Sequence, residues 1–184
     1  MGRFVSRRVI QAPVERVFAL AALPAGLPDW NPLFVAITRI SGPRDGPPAA
    51  FDAVMSLAGR QIAMHHLVTL LRPPHAITTN GVALEGGRLT WIRRFAPAGP
   101  GETVMESEVD FDLPEGFAST VVGDQFLEHA IRHDLVRSVE NLAGLAEASQ
   151  AGAPASTATL AEATPAEPMV DTPKQGGAIR AGSG

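Results

Sequence analysis

The sequence predicts an α+β domain: a curved antiparallel β-sheet of six to seven strands around a long C-terminal helix, with two short helices after the first strand. Three observations predict it. Apolar residues run at period two through most of the chain up to Pro114. The linkers between those runs are short and rich in Gly and Pro, which implies an antiparallel meander. Past Pro114 the period changes to that of one amphipathic helix, which comes last.

In chain order, "RFVSRRVIQA" has the mixed alternation of a strand. "APVERVFALAAL" then places Val14, Val17, Phe18 and Ala21 at helical spacing, with Pro13 in the first turn, where its missing N–H costs little. "LPAGLPDWNPLF" holds too much Pro and Gly for a long helix, so Trp30 is expected in a broken helical turn, covering apolar surface. Six strand-like runs follow: "FVAITRI", "AFDAVMSL", "QIAMHHLVTLL", "AITTNGVAL", "RLTWIRRF" and "TVMESEVDFDL". The closing helix carries its stripe on Leu127, Ile131, Leu135, Leu142 and Leu145, with Ser138 as the one polar member. From Ala148 to Gly184 small residues, Pro and Gly bury too little apolar area to offset the entropy of ordering them. Two regions are therefore expected, a domain over residues 1–147 and a disordered tail over 148–184.

Composition narrows the function classes. Of 184 residues 45% are apolar and 18% charged, and the formal net charge is -4, so no global basic field invites nucleic acid. The absence of cysteine removes disulfides, thiolate metal sites and a cysteine nucleophile. No apolar run approaches the roughly 18 residues that cross a bilayer, and the expectation is a cytoplasmic protein without membrane insertion, a monomer or homodimer. No nucleophile elbow, phosphate-cradling glycine loop or dinucleotide fingerprint appears, and no cofactor is expected.

Alternation along each strand decides which side chains face inward. In "RLTWIRRF" the more apolar set is Leu89, Trp91, Arg93 and Phe95, which turns Arg94 outward. Arg93 is then the charge that enters the interior and needs a partner, either an anionic or carbonyl-bearing ligand or a carboxylate of a neighbouring strand. In "TVMESEVDFDL" the inward set is Met105, Ser107, Val109, Phe111 and Leu113, and Glu106, Glu108, Asp110 and Asp112 form a solvated acidic row. His65 and His66 point oppositely and cannot chelate one metal. His129 and His133 lie one helical turn apart, but away from the apolar stripe, so they read as a solvated face and no metal site is assigned.

Four segments in this order, "VIQAPVERVFALAA", "LPDWNPLFVAI", "VTLLRPPHAI" and "FLEHAIRHDLVRSVENLAGLAE" with its Val139-Glu140-Asn141-Leu142 ending, resemble the START-like superfamily of helix-grip domains, within it the polyketide cyclase/dehydrase-like branch. The resemblance covers about residues 4–147. It implies a mostly apolar cavity between sheet and long helix, holding a polyketide-, lipid- or aromatic-like molecule, but not one chemistry. With the register the Pro-Pro corner implies, His66 faces inward and is the general acid/base candidate. The expected lining is Trp30, Phe51, Met55, Met64, Trp91, Phe95, Met105, Ser107, Val109, Phe111, Leu127, Ile131 and Leu135, with His66 and Arg93 as the catalytic or orienting pair. Three functions stay open: binding of a small hydrophobic ligand, a cyclase/dehydratase working by chain positioning and proton transfer, and an interaction domain with a filled core. A cyclase mechanism through a tyrosine hydroxyl is excluded, because the chain has no tyrosine.

Overall fold

The first strand, β1 (Gly2–Ile10), hands over to α1 (Val14–Ala22) through Pro13, whose carbonyl accepts the amides of Arg16 and Val17 at 3.0 and 3.1 Å. The computed structural model describes residues 2–43, 48–112 and 124–151. Val14, Val17, Phe18 and Ala21 are the buried face of α1, as their spacing requires. A 3-10 turn (Pro24–Gly26) and the one-turn helix α2 (Leu27–Trp30) follow, which bury Leu27 and Trp30.

Six strands then run in sequence: β2 (Phe34–Ser41), β3 (Ala50–Leu57), β4 (Arg60–Arg72), β5 (Ala76–Ala83), β6 (Arg88–Gly99) and β7 (Glu102–Asp112). Each pairs antiparallel with the next, and β1 pairs with β7, giving the order β1-β7-β6-β5-β4-β3-β2 in a curved seven-stranded sheet. The β3–β4 turn puts Ala58 at φ 49° and Gly59 at φ 84°, the positive values a tight two-residue hairpin demands. The Pro73–Pro74 bond at the β4–β5 corner is cis.

The last described element, α3 (Asp124–Ala151), lies against β1, β3, β7, α1 and α2. Leu127, Ile131, Leu135, Ser138 and Leu142 form its buried stripe, and the Ser138 hydroxyl donates to the Leu135 carbonyl at 2.7 Å. The stripe departs from expectation at its end. Leu145 is 39% exposed, and Val139, Ala143 and Ala146 are buried with Leu142 instead. Asn141, the polar residue of the closing motif, donates to the Trp30 carbonyl at 3.1 Å and so ties α3 to the end of α2. Residues 148–151, expected to open the tail, are the last residues of α3; the rest of the expected tail lies outside the described residues, as does Leu113.

Candidate functional site

Pleating brings one row of side chains from each strand under α3. Across the ladders Phe51 stands opposite His66, His66 opposite Gly81, Thr79 opposite Trp91, Ile77 opposite Arg93, and Arg93 opposite Ser107. All of these are buried. Gly81 is required where it stands: a Cβ there would lie 2.8 Å from His66 Cε1, so the imidazole occupies the space that a side chain would fill.

The rings form a continuous wall. Trp30 and Trp91 have centroids 5.7 Å apart, Trp91 stacks on Phe34 at 5.7 Å, and Phe34 meets Phe51 at 6.3 Å. His66 stacks on Phe51 with centroids 4.6 Å apart and planes 7° from parallel. Phe34, the hub of this wall, and Thr79 were not among the residues expected to line the site. Phe34 opens a strand beside a Pro-rich turn, where alternation has no reference row, and a lone threonine in a strand carries no signal of its own.

Arg93 is 3% exposed and its guanidinium carbon sits 3.9 Å over the Trp91 ring. Nη1 donates to the Ala21 carbonyl at 2.6 Å and Nη2 to the Thr79 hydroxyl at 3.0 Å, while Nε is buried without an acceptor. Among the described residues no neighbour-strand carboxylate of the kind considered from sequence reaches Arg93; both acceptors are neutral. Burial pushes the guanidinium down to about 9, which leaves it cationic at pH 7. Arg94, one residue on, takes the carboxylates instead, Glu106 at 2.8 Å and Glu108 at 3.0 Å. Glu108 also receives Arg3 at 2.7 Å and is only 6% exposed, which corrects the reading of the acidic row as uniformly solvated. Its carboxyl is held below the ordinary range first by the Arg94 hydrogen bond, against the opposing effect of burial.

His66 is fully buried and neither ring nitrogen has a partner. Its pKa is lowered to about 4, first by burial and then by the positive charges of His65 and Arg93. The ring is therefore neutral at pH 7 and able to accept a proton or donate an N–H. Ser107 accepts the Trp91 indole N–H at 2.9 Å, and the Trp30 indole N–H is buried without an acceptor.

Among the described residues two small interior spaces lie between the sheet and α3, and a third lies between the sheet and the α1–α2 segment. One of about 20 Å³ brings together Met64, Val109, Phe111 and Ile131 with Leu33, Leu57 and Leu89. A second of about 10 Å³ joins Met55, Trp91, Val109 and Leu135 to Asn31 and Phe34. A third of about 10 Å³ joins Phe51 and Arg93 to Ala21, Pro24, Leu27, Pro48 and Ile77. Pro24 and Pro48 also line an open surface groove of about 270 Å³ with Leu23, Ile40 and Pro43. Trp30, His66, Phe95, Met105, Ser107 and Leu127 are buried around these spaces without lining them. The deep cavity expected from sequence takes this form among the described residues: a row of water-sized gaps. His129 and His133 are exposed, and among the described residues no three His, Asp or Glu side chains gather as a metal would need.

The family model described as "Polyketide cyclase / dehydrase and lipid transport" matches residues 1–147. No curated protein sequence matches. Among solved structures the chain is similar to a START superfamily protein from Mycobacterium smegmatis, with TM-score 0.64 and 16% identity over 80% of this chain and 98% of that one. It is similar also to the Zhui aromatase/cyclase from Streptomyces sp. R1128, with TM-score 0.64 and 16% identity over 79% and 93% of the two chains. A protein from Thermus thermophilus aligns with TM-score 0.62 and 17% identity over 80% and 99%. At these identities the likeness is one of fold.

Proposed function

The chain belongs to the polyketide cyclase/dehydrase and lipid-transport family, and from that premise we propose that it binds a small hydrophobic molecule between the sheet and α3. The observation that carries this reading is a set of unpartnered polar atoms in an apolar wall: His66 Nδ1 and Nε2, Trp30 Nε1 and Arg93 Nε. Buried polar groups are almost always hydrogen-bonded, and each one left alone costs about 1–3 kcal/mol. A ligand that is apolar in bulk and carries acceptor oxygens would answer the N–H groups among these atoms, and a hydroxyl on it would donate to the unprotonated nitrogen of His66. Pockets for such molecules measure about 300–1,000 Å³, so occupancy requires side chains along the seam to move apart. Met55, Met64 and Met105, unbranched and soft, are suited to that movement.

Both tryptophans of the chain stand on this wall, which makes indole emission an internal reporter. Titration with the neutral hydrophobic fluorophore 1-aminoanthracene is expected to give saturable energy transfer from Trp30 and Trp91 at one site per chain. Absence of saturable transfer would remove the binding reading.

A cyclase/dehydratase activity is the second reading, favoured by the neutral, unpartnered His66 within electrostatic reach of the Arg93 cation. In it, the imidazole moves the proton and the guanidinium stabilises the enolate oxygen, while the wall folds the reactive chain.

A further inference from the structure

Resting on the binding reading above, we propose that the molecule held in this interior is a hydrophobic carboxylic acid whose carboxylate pairs with Arg93 in the space at the end of α1. Charge is the first ground for it. Arg93 is a buried cation with five N–H donors and only two neutral acceptors, a carbonyl and a hydroxyl. Neither acceptor neutralises it, and among the described residues no carboxylate reaches it. A buried charge without a counter-charge is costly, and the neighbouring position shows the usual remedy: Arg94, half-exposed and in less need of it, has two carboxylates.

Geometry locates the missing anion. The space beside Arg93 is walled by Ala21, Pro24, Phe51 and Ile77, and shares Pro24 and Pro48 with the open groove, so an acid arriving from that groove meets the guanidinium. A carboxylate is flat and takes two parallel N–H bonds from a guanidinium. With a single cation and no second basic side chain lining the space, the charge balance fits a monoanion rather than a phosphate dianion. The guanidinium lies over Trp91, which stacks on Phe34, so the apolar remainder of the acid has an aromatic wall without charge beside its head group.

The test compares 2-naphthoic acid, 2-naphthalenemethanol and methyl 2-naphthoate by calorimetric titration of the full chain at pH 7. These probes share a ring system and differ in whether the head carries charge. The acid is expected to bind at least about tenfold more tightly than the alcohol or the ester. Arg93→Gln is expected to abolish that preference, and Arg93→Lys to keep it in weakened form. Equal affinity of acid, alcohol and ester for the unmodified chain overturns the proposal, whether or not either variant folds. So does retention of the preference in Arg93→Gln. If all three fail while 1-aminoanthracene binds, the carboxylate proposal falls alone; if that probe fails too, both readings fall.

Discussion

His65 and His66 are adjacent, yet they live in different solvents. His65 lies on the outer face with Asp52 at 2.5 Å, and His66 lies flat on Phe51 over Gly81 with no polar partner. Alternation separated the two faces in the sequence, but it carries no information on partners. One acceptor of Arg93 is a carbonyl 72 positions away on another element, and Glu108 is buried because β7 lies between β1, which supplies Arg3, and β6, which supplies Arg94. Such contacts become legible only once strand order is known. The His66 environment has a consequence for stability. With the folded pKa near 4 and the unfolded value near 6.5, the unfolded chain binds the extra proton between those values. Stability from this group is therefore complete above about pH 6.5 and declines as pH falls toward 4, by up to about 1.4 kcal/mol per unit. Urea unfolding at pH 7 and pH 5 is expected to show a loss for the natural chain about 2 kcal/mol larger than for His66→Phe, which keeps the stack and removes the titration. Identical losses would mean that His66 is charged or solvated in the folded state.

At the scale of elements, the strands were legible because turn chemistry punctuates them: Ala58-Gly59, the Pro73–Pro74 corner and the Gly86-Gly87 pair each sit between two alternating runs. α1 and α3 were legible from period 3.6, and α2 as a broken turn from its Pro and Gly. Near the end of α3 the stripe read from leucines alone no longer suffices, since Val139, Ala143 and Ala146 are buried with Leu142 while Leu145 is 39% exposed. Leu142 is fully buried, so Leu142→Ala is expected to lower unfolding free energy by about 2–5 kcal/mol. Val136→Ala, at a position 42% exposed, is expected to stay within about 1 kcal/mol. Equal effects in chemical denaturation would place α3 in a different rotation over the sheet.

For the whole molecule, pairing of β1 with β7 puts the first strand beside the last and leaves α3 as cover for the inner face. That arrangement was readable from element order and resemblance, because an antiparallel meander followed by one long helix has few ways to bury both apolar faces. How full the interior is was not readable, since it depends on side-chain rotamers across the sheet and the helices packed on it and not on pattern. The spaces of about 20, 10 and 10 Å³ are compatible with two kinds of seam: one that parts around a hydrophobic guest, and a filled core whose surface does the work. The unpartnered atoms of His66, Trp30 and Arg93 favour the first, since a permanently closed core would leave them unsatisfied in every state. Native mass spectrometry of the full chain, purified without detergent, tests the parting seam most directly. A seam of that kind predicts a co-purifying organic molecule in one-to-one ratio, released by denaturation and displaced by 1-aminoanthracene; the bare chain mass alone, unchanged after addition of that probe in excess, would contradict it.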